Sequence, residues 1–107
     1  MSECRIIEKG RVEALRSVFA SEGNSGLASR YKAIGDPTRL GVYLVLLQEE
    51  LCVCQVEEVT GLPQSTVSGI LKILLNAGLI MGRRDGRWIY YRARESVVEM
   101  KVGEMRE

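Results

Sequence analysis

The chain has 107 residues, of which 46% are apolar, 27% charged and 6% aromatic, so it has the composition and length of one ordinary globular domain. Its longest apolar run, residues 42–47, is far shorter than the roughly 18 residues of a membrane span, which predicts a cytoplasmic protein with no membrane partner. Histidine is absent, which excludes Ser/His and Cys/His catalysis and the commonest zinc ligand. These features favour a binding protein over an enzyme.

Short helices are predicted in the first half of the chain. Residues 12–20 form a weakly amphipathic helix that ends at a flexible segment, residues 22–26, and residues 27–34 form a second. Asp36 and Pro37 are a strong start signal, because Asp caps a helix and Pro suits its first position. The helix that follows, residues 38–48, is expected to place Leu40, Tyr43, Leu44 and Leu47 inward. Val42 and Leu46 indicate that much of its circumference is buried.

The centre of the chain predicts a helix-turn-helix. Residues 53–60 form a short helix, Gly61 and Leu62 a turn, and residues 64–76 a longer helix whose apolar residues recur at helical spacing: Val67, Ile70, Leu71 and Leu74. Its other face is polar and short-chained, so the backbone can approach a DNA major groove closely. The residues predicted to contact DNA there are Gln64, Ser65, Thr66, Ser68, Gly69 and Lys72.

A basic hairpin is predicted next. Residues 79–84 and 87–92 are strands around Asp85-Gly86, which favours a type I′ turn. Residues 61–94 hold six basic side chains and one acid, a pattern typical of phosphate contact. We predict that this hairpin is a wing that contacts DNA through Arg83, Arg84 and Arg87, with Trp88, Tyr90 and Tyr91 packed behind it.

These elements predict a mainly α fold with a small β-hairpin, a homodimeric winged helix-turn-helix. The predicted organisation is an N-terminal arm with a short helix (1–26), the DNA-binding domain (27–94) and a C-terminal dimerisation helix (95–107). That last helix is capped by Ser96 and is too polar to be core, so it could pack against its copy in a dimer.

Several segments together resemble the ArsR/SmtB family of arsenical repressors. They are AIGDPTRL (33–40), ELCVC (50–54), QSTVS (64–68), AGLI (77–80) and RRDGRWIYY (83–91), and the resemblance covers residues 27–94. It implies a homodimeric repressor that binds an imperfect palindromic operator in double-stranded DNA and leaves it when a thiophilic ion binds. The ELCVC box resembles both the branch that senses arsenite and antimonite and the branch that senses cadmium and lead.

The chain departs from this family at three positions. Glu57 stands where the best-known arsenite sensors have a third cysteine. The family's C-terminal zinc site uses histidine and therefore cannot exist here in its usual form. Ile70 stands where many members have histidine in the recognition helix, so the base preference cannot be carried over.

Cys52 and Cys54 are the predicted metal ligands, on the first helix of the helix-turn-helix. In a regular helix, residues two apart lie about 200° apart around the axis, so both sulfurs can reach one ion only if the start of this helix is irregular. Soft thiolates favour As(III) or Sb(III), with Cd(II) or Pb(II) as the alternative. Cys4 is the candidate third ligand, from its own chain or from the partner subunit, as in the cadmium and lead sensors.

Three rival functions use the same residues differently. A redox-sensing repressor would oxidise its thiols, with Cys4 as the disulfide partner, because Cys52 and Cys54 are poorly placed for a mutual disulfide in a helix. A thiol oxidoreductase is disfavoured, because C-x-C lacks the C-x-x-C spacing. In a DNA-binding protein that senses no metal, the cysteines would simply be core residues.

Overall fold

The chain folds into helices with one small sheet, and the computed structural model describes residues 6–94. The elements in that range are α1 Lys9–Phe19, α2 Gly23–Ala33, α3 Pro37–Gln48, β1 Leu51–Cys52, α4 Val53–Thr60, α5 Gln64–Asn76, β2 Ile80–Asp85 and β3 Trp88–Ala93. The strands form an antiparallel sheet in the order β1-β3-β2. The mainly α fold with a hairpin is therefore confirmed. Cys4 and the predicted C-terminal helix lie outside the described residues.

The helix-turn-helix agrees with the prediction at every boundary. α4 ends at Thr60, and Gly61 follows in the left-handed region with φ 74°. All four apolar residues predicted for the inner face of α5 are buried: Val67, Ile70, Leu71 and Leu74. They pack in one cluster with the inner residues of α3 and with Leu79 and Ile80 at the start of the hairpin. This core holds the polar face of α5 on the outside.

Gly61, the glycine of the turn, is expected to be required for its positive φ and not for lack of space. A Cβ added at either Gly61 or Gly69 meets no atom within 4 Å, so the two positions differ only in conformation. Gly61 has positive φ, and we expect Gly61→Ala to lower the free energy of unfolding by about 1–2 kcal/mol. Gly69 is helical, so Gly69→Ala should raise it by about 0.5–1 kcal/mol. Urea unfolding at one protein concentration measures both, and shifts of the same sign would contradict the argument.

The start of α3 is as predicted, but its buried face is different. Asp36 Oδ2 accepts a hydrogen bond from the Arg39 backbone N–H at 3.0 Å, with Pro37 in the first helical position. The buried residues are Val42, Tyr43 and Leu46, whereas Leu40 and Leu44 are partly exposed. The predicted inward placement was therefore wrong for Leu40 and Leu44, whereas the expected burial of Val42 and Leu46 is confirmed. α3 is apolar on most of its circumference, so periodicity alone cannot say which side meets α5 and β3.

The hairpin forms where predicted, but its turn is shifted by one residue. Asp85 pairs with Trp88, so the loop is Gly86-Arg87 and not Asp85-Gly86. Gly86 has φ 64°, and no residue other than glycine in the described range has positive φ. A type I′ turn needs positive φ at both loop positions, so the predicted turn type was wrong. Glycine in the first loop position suits a type II′ turn instead.

The first two helices are longer than predicted. α1 begins at Lys9 after the extended residue Glu8, and α2 begins at Gly23, so the predicted flexible segment at 22–26 was wrong. Local hydrogen bonds close this corner: the Asn24 side-chain amide donates to the carbonyl oxygens of Val18 and Phe19 at 3.2 and 3.1 Å. Across residues 6–94, every helix is too short or too polar to cross a membrane.

Candidate nucleic-acid interface and metal site

The outer face of α5 is a continuous polar surface. Every residue predicted to contact DNA on this helix is exposed: Gln64, Ser65, Thr66, Ser68, Gly69 and Lys72. The helix begins directly after Pro63, so its first backbone N–H groups have no side-chain cap. A helix N-terminus with free N–H groups favours phosphate oxygens. The surface therefore combines small polar side chains with free backbone N–H groups, which are the groups that suit base edges and phosphates.

The predicted wing arginines differ in their surroundings. Arg84 makes no ion pair with any residue from 6 to 94 and is exposed. The Arg87 guanidinium lies 5.8 Å from the centre of the Trp88 ring. Arg83 is engaged within the protein, because its guanidinium lies over the Tyr90 ring at 5.2 Å and also binds Glu50. Arg84 and Arg87 are thus the arginines at this tip that make no ion pair within the described chain.

A bidentate ion pair joins Arg83 on β2 to Glu50, two residues before Cys52. Arg83 Nε donates to Glu50 Oε2 at 3.1 Å, and Nη2 donates to Oε1 at 2.7 Å. Hydrogen bonding from Arg83 lowers the pKa of Glu50, and the same hydrogen bonds raise the pKa of Arg83. Sequence reasoning missed this pair, because its members are 33 residues apart and both belong to charge patterns typical of a solvated surface.

The thiol pair lies at the junction of the sheet and the helix-turn-helix. Cys52 is in β1 and caps α4 with extended backbone, φ −89° and ψ 173°, while Cys54 is in the first turn of α4. The Cys52 backbone N–H donates to Gln55 Oε1 at 3.0 Å in a capping box. α4 begins at Val53 as predicted, so Cys52 lies just before the helix and only Cys54 lies on it. The extended backbone of Cys52 provides the irregularity that ligation by both sulfurs requires.

The two cysteines differ in accessibility. The Cys52 residue is buried, with 8% of its surface exposed, whereas Cys54 is exposed, and both are free thiols. Among residues 6–94, no group of three or more Cys, Asp and Glu side chains lies close enough to hold a metal ion. The candidate donors between residues 6 and 94 are thus two sulfurs, with no imidazole. This donor set fits a thiophilic ion and does not fit the four-coordinate sites of structural zinc.

A groove of about 250 Å³ brings the thiols, the recognition helix and the hairpin together. Its lining residues are Cys52, Val53, Cys54, Gln64, Arg87, Trp88, Ile89 and Tyr91. Trp88 is 48% exposed, so the prediction that it packs behind the wing was wrong for this residue. Tyr91 does pack against the core. No sequence signal placed the tip of the hairpin next to the cysteines, because that contact depends on how the sheet folds back on α4 and α5.

The fold and these surfaces define a winged helix-turn-helix regulator, and comparisons with known proteins give its family. The model of the bacterial regulatory protein arsR family matches residues 36–81. A cadmium resistance transcriptional regulatory protein homolog of Staphylococcus aureus is 30% identical over 95% of this chain and 85% of that protein. The arsenic resistance transcriptional regulator of Pseudomonas putida is 40% identical over 63% of this chain and 53% of that protein.

The fold of this chain is also similar to that of a solved structure over most of its length. The homodimeric winged helix-turn-helix DNA-binding domain of a possible ArsR-family regulator from Mycobacterium bovis matches with a TM-score of 0.67 and 27% identity. The match covers 94% of this chain and 87% of that one. The chain belongs to the arsR family of bacterial regulatory proteins. It is a DNA-binding transcriptional regulator and not an enzyme.

Proposed function

We propose that this protein is a homodimeric repressor that releases its operator when arsenite or antimonite binds to Cys52 and Cys54. The observation that supports this proposal is the groove that Cys52 and Cys54 share with Gln64 of α5 and Trp88 of the hairpin. The proposed ligands of the soft ion therefore lie beside both elements that are proposed to face DNA. Binding of an ion to the sulfurs can therefore change operator affinity through residues that line the same groove.

The chemistry of As(III) and Sb(III) matches two thiols of unequal burial. Arsenous acid exchanges oxygen for sulfur: each As–S bond replaces an As–O bond, and the thiol proton leaves with the hydroxyl group as water. Cys54 is exposed and so accessible for the first exchange, and the buried Cys52 follows. As(III) prefers three sulfurs in a pyramid, and we assign the third to Cys4, from the same chain or the partner subunit.

Cadmium or lead is the second candidate inducer. The relative named for cadmium resistance aligns over 95% of this chain, which includes most of the segment ahead of the winged helix. The arsenic resistance relative aligns over 63% of the chain. The ELCVC box suits either branch, and both inducers use the same two sulfurs. The choice between them is an outcome of the titration described below.

The DNA-bound form would be a dimer with one α5 in each of two successive major grooves. α1 supports the dimer, because it has no buried residue and presents an apolar face in the isolated chain. Leu15 is 42%, Val18 67% and Phe19 85% exposed. Such a patch is typical of a surface that a second copy covers. The dimer would thus bury α1, in addition to the helix predicted at residues 95–107.

Titration of the reduced apo protein with arsenite tests this function. A labelled operator duplex is first selected from a random-sequence pool with the apo protein, and its binding is followed by fluorescence anisotropy. We expect saturating arsenite to lower operator affinity by about 5- to 150-fold, the usual range for coupled binding sites. The same titration with cadmium separates the two candidate inducers. If neither ion changed operator affinity while the thiols stayed reduced, the proposed switch would be wrong.

A further inference from the structure

The thiol pair and the wing belong to the same sheet. Cys52 pairs with Tyr90 across β1 and β3, and Tyr90 pairs with Arg83 across β3 and β2. The three residues therefore form one lateral row that runs from a predicted metal ligand to the strand that leads into the wing tip. Neighbouring strands in a sheet lie about 4.8 Å apart, so the row is short.

The Glu50–Arg83 ion pair reinforces this row. Glu50 directly precedes β1, and its carboxylate reaches past β3 to the Arg83 guanidinium on β2. Backbone hydrogen bonds join each strand only to its neighbour, whereas this ion pair ties the residue before β1 directly to β2, two strands away. Its two hydrogen bonds fix the orientation of both side chains, as bidentate arginine–carboxylate pairs do. The segment that carries Cys52 is therefore joined to β2, the strand that leads into the wing tip, by an ion pair as well as through β3.

We propose that the Glu50–Arg83 ion pair is a positioning element that transmits ligand binding at Cys52 and Cys54 to the wing. This inference rests on the proposed function. A ligand held by both Cys52 and Cys54 bridges β1 and the first turn of α4, so any shift of Cys52 that this ligand causes also moves its strand. With the ion pair intact, that movement is carried to β2 and the hairpin tip. Operator affinity then falls because Arg84 and Arg87 leave their positions on the DNA.

The groove supports the wing as the element that responds. One wall carries the two cysteines, and the facing residues of the hairpin are Arg87, Trp88, Ile89 and Tyr91. Trp88 and Ile89 are partly exposed and are not part of the buried core cluster. α5, in contrast, is anchored by four buried residues. The hairpin is therefore the less constrained of the two DNA-facing elements beside the thiols.

Glu50→Gln tests the proposal, with Glu49→Gln as the matched control. Both variants remove one carboxylate from neighbouring residues, but Glu49 makes no ion pair with any residue in the described range. The quantity measured is the ratio of operator Kd with saturating arsenite to operator Kd without it. We expect the control to keep the ratio of the wild-type protein. Glu50→Gln should lower it by about two- to fivefold, the range expected from one partly exposed ion pair.

Two further measurements separate positioning from ligation and from the proposed function itself. The sulfur-to-metal charge-transfer absorbance should titrate with the same midpoint in both variants, within about twofold, because the sulfurs are unchanged. Hydrogen exchange in residues 83–92 should respond to arsenite in Glu49→Gln and respond less in Glu50→Gln. Equal ratios and equal exchange responses in the two variants would overturn the positioning role alone. A wild-type ratio of one with arsenite and also with cadmium would instead overturn the proposed function and this inference with it.

Discussion

Replacement of Cys54 by serine should abolish the release of DNA by arsenite. The hydroxyl of serine is a hard oxygen donor, so it cannot replace a soft thiolate toward As(III). Cys54 is exposed in the first turn of α4 and contributes nothing to the buried core, so the fold should be retained. We expect the ratio of operator Kd values with and without arsenite to fall from about 5–150 in the wild-type protein to about one. Fluorescence anisotropy with the selected operator duplex measures this ratio.

Cys4→Ser is the matched control for that variant. It removes the same functional group from the N-terminal segment, and its effect separates a two-thiol site from a three-thiol site. A lower arsenite affinity in Cys4→Ser, with release still reached at saturation, would assign Cys4 as the third ligand. Unchanged affinity would exclude it. A Cys54→Ser protein that released its operator as the wild-type protein does would contradict the assignment of the thiol pair.

Ser65→Glu should remove operator binding while leaving the helix intact. Ser65 is exposed in the first turn of α5, where a carboxylate interacts favourably with the helix dipole. The same carboxylate would face the phosphates of the major groove. Like charges placed together in an interface cost several kcal/mol, so we expect a loss of affinity on the order of 100-fold. Anisotropy titration with apo protein measures the loss, and thermal unfolding verifies that stability has not fallen.

Ser25→Glu provides the control for charge. Ser25 is exposed in the first turn of α2, and the substitution adds the same negative charge outside α5, the hairpin and the helices proposed to form the dimer. It should lower operator affinity only by the small, salt-dependent amount that follows from a change in net charge. Equal losses in the two variants would show that net charge is responsible and that α5 does not face the DNA.

Sequence reasoning succeeded best where local signals and burial agree. Asp36 and Pro37 specify the start of α3 through a cap and a fixed φ, and both signals are local. Gly61 ends α4 because the next backbone position needs positive φ. The inner face of α5 was correctly predicted because its apolar residues are confined to one stripe, with polar residues on the other side. In each case, the information lies within a few residues.

The errors share a different cause. In α3, apolar residues surround most of the helix, so Leu40 and Leu44 were as plausible in the core as Val42. At the hairpin, Asp85 and Gly86 suit a turn in either register, and pairing of β2 with β3 selects Gly86-Arg87. Propensity specifies that a turn occurs, but strand register depends on contacts between distant residues.

Residue types and periods of a few residues were enough to predict the helix-turn-helix and the basic hairpin and to single out the two thiols. The folded chain was needed to find that Cys52 lies in a strand of the wing's own sheet, that Glu50 binds Arg83, and that the cysteines share a groove with Trp88. Those relations join residues more than 30 positions apart. They exist because packing of the buried core brings the hairpin back against the start of α4. No local sequence pattern encodes this contact.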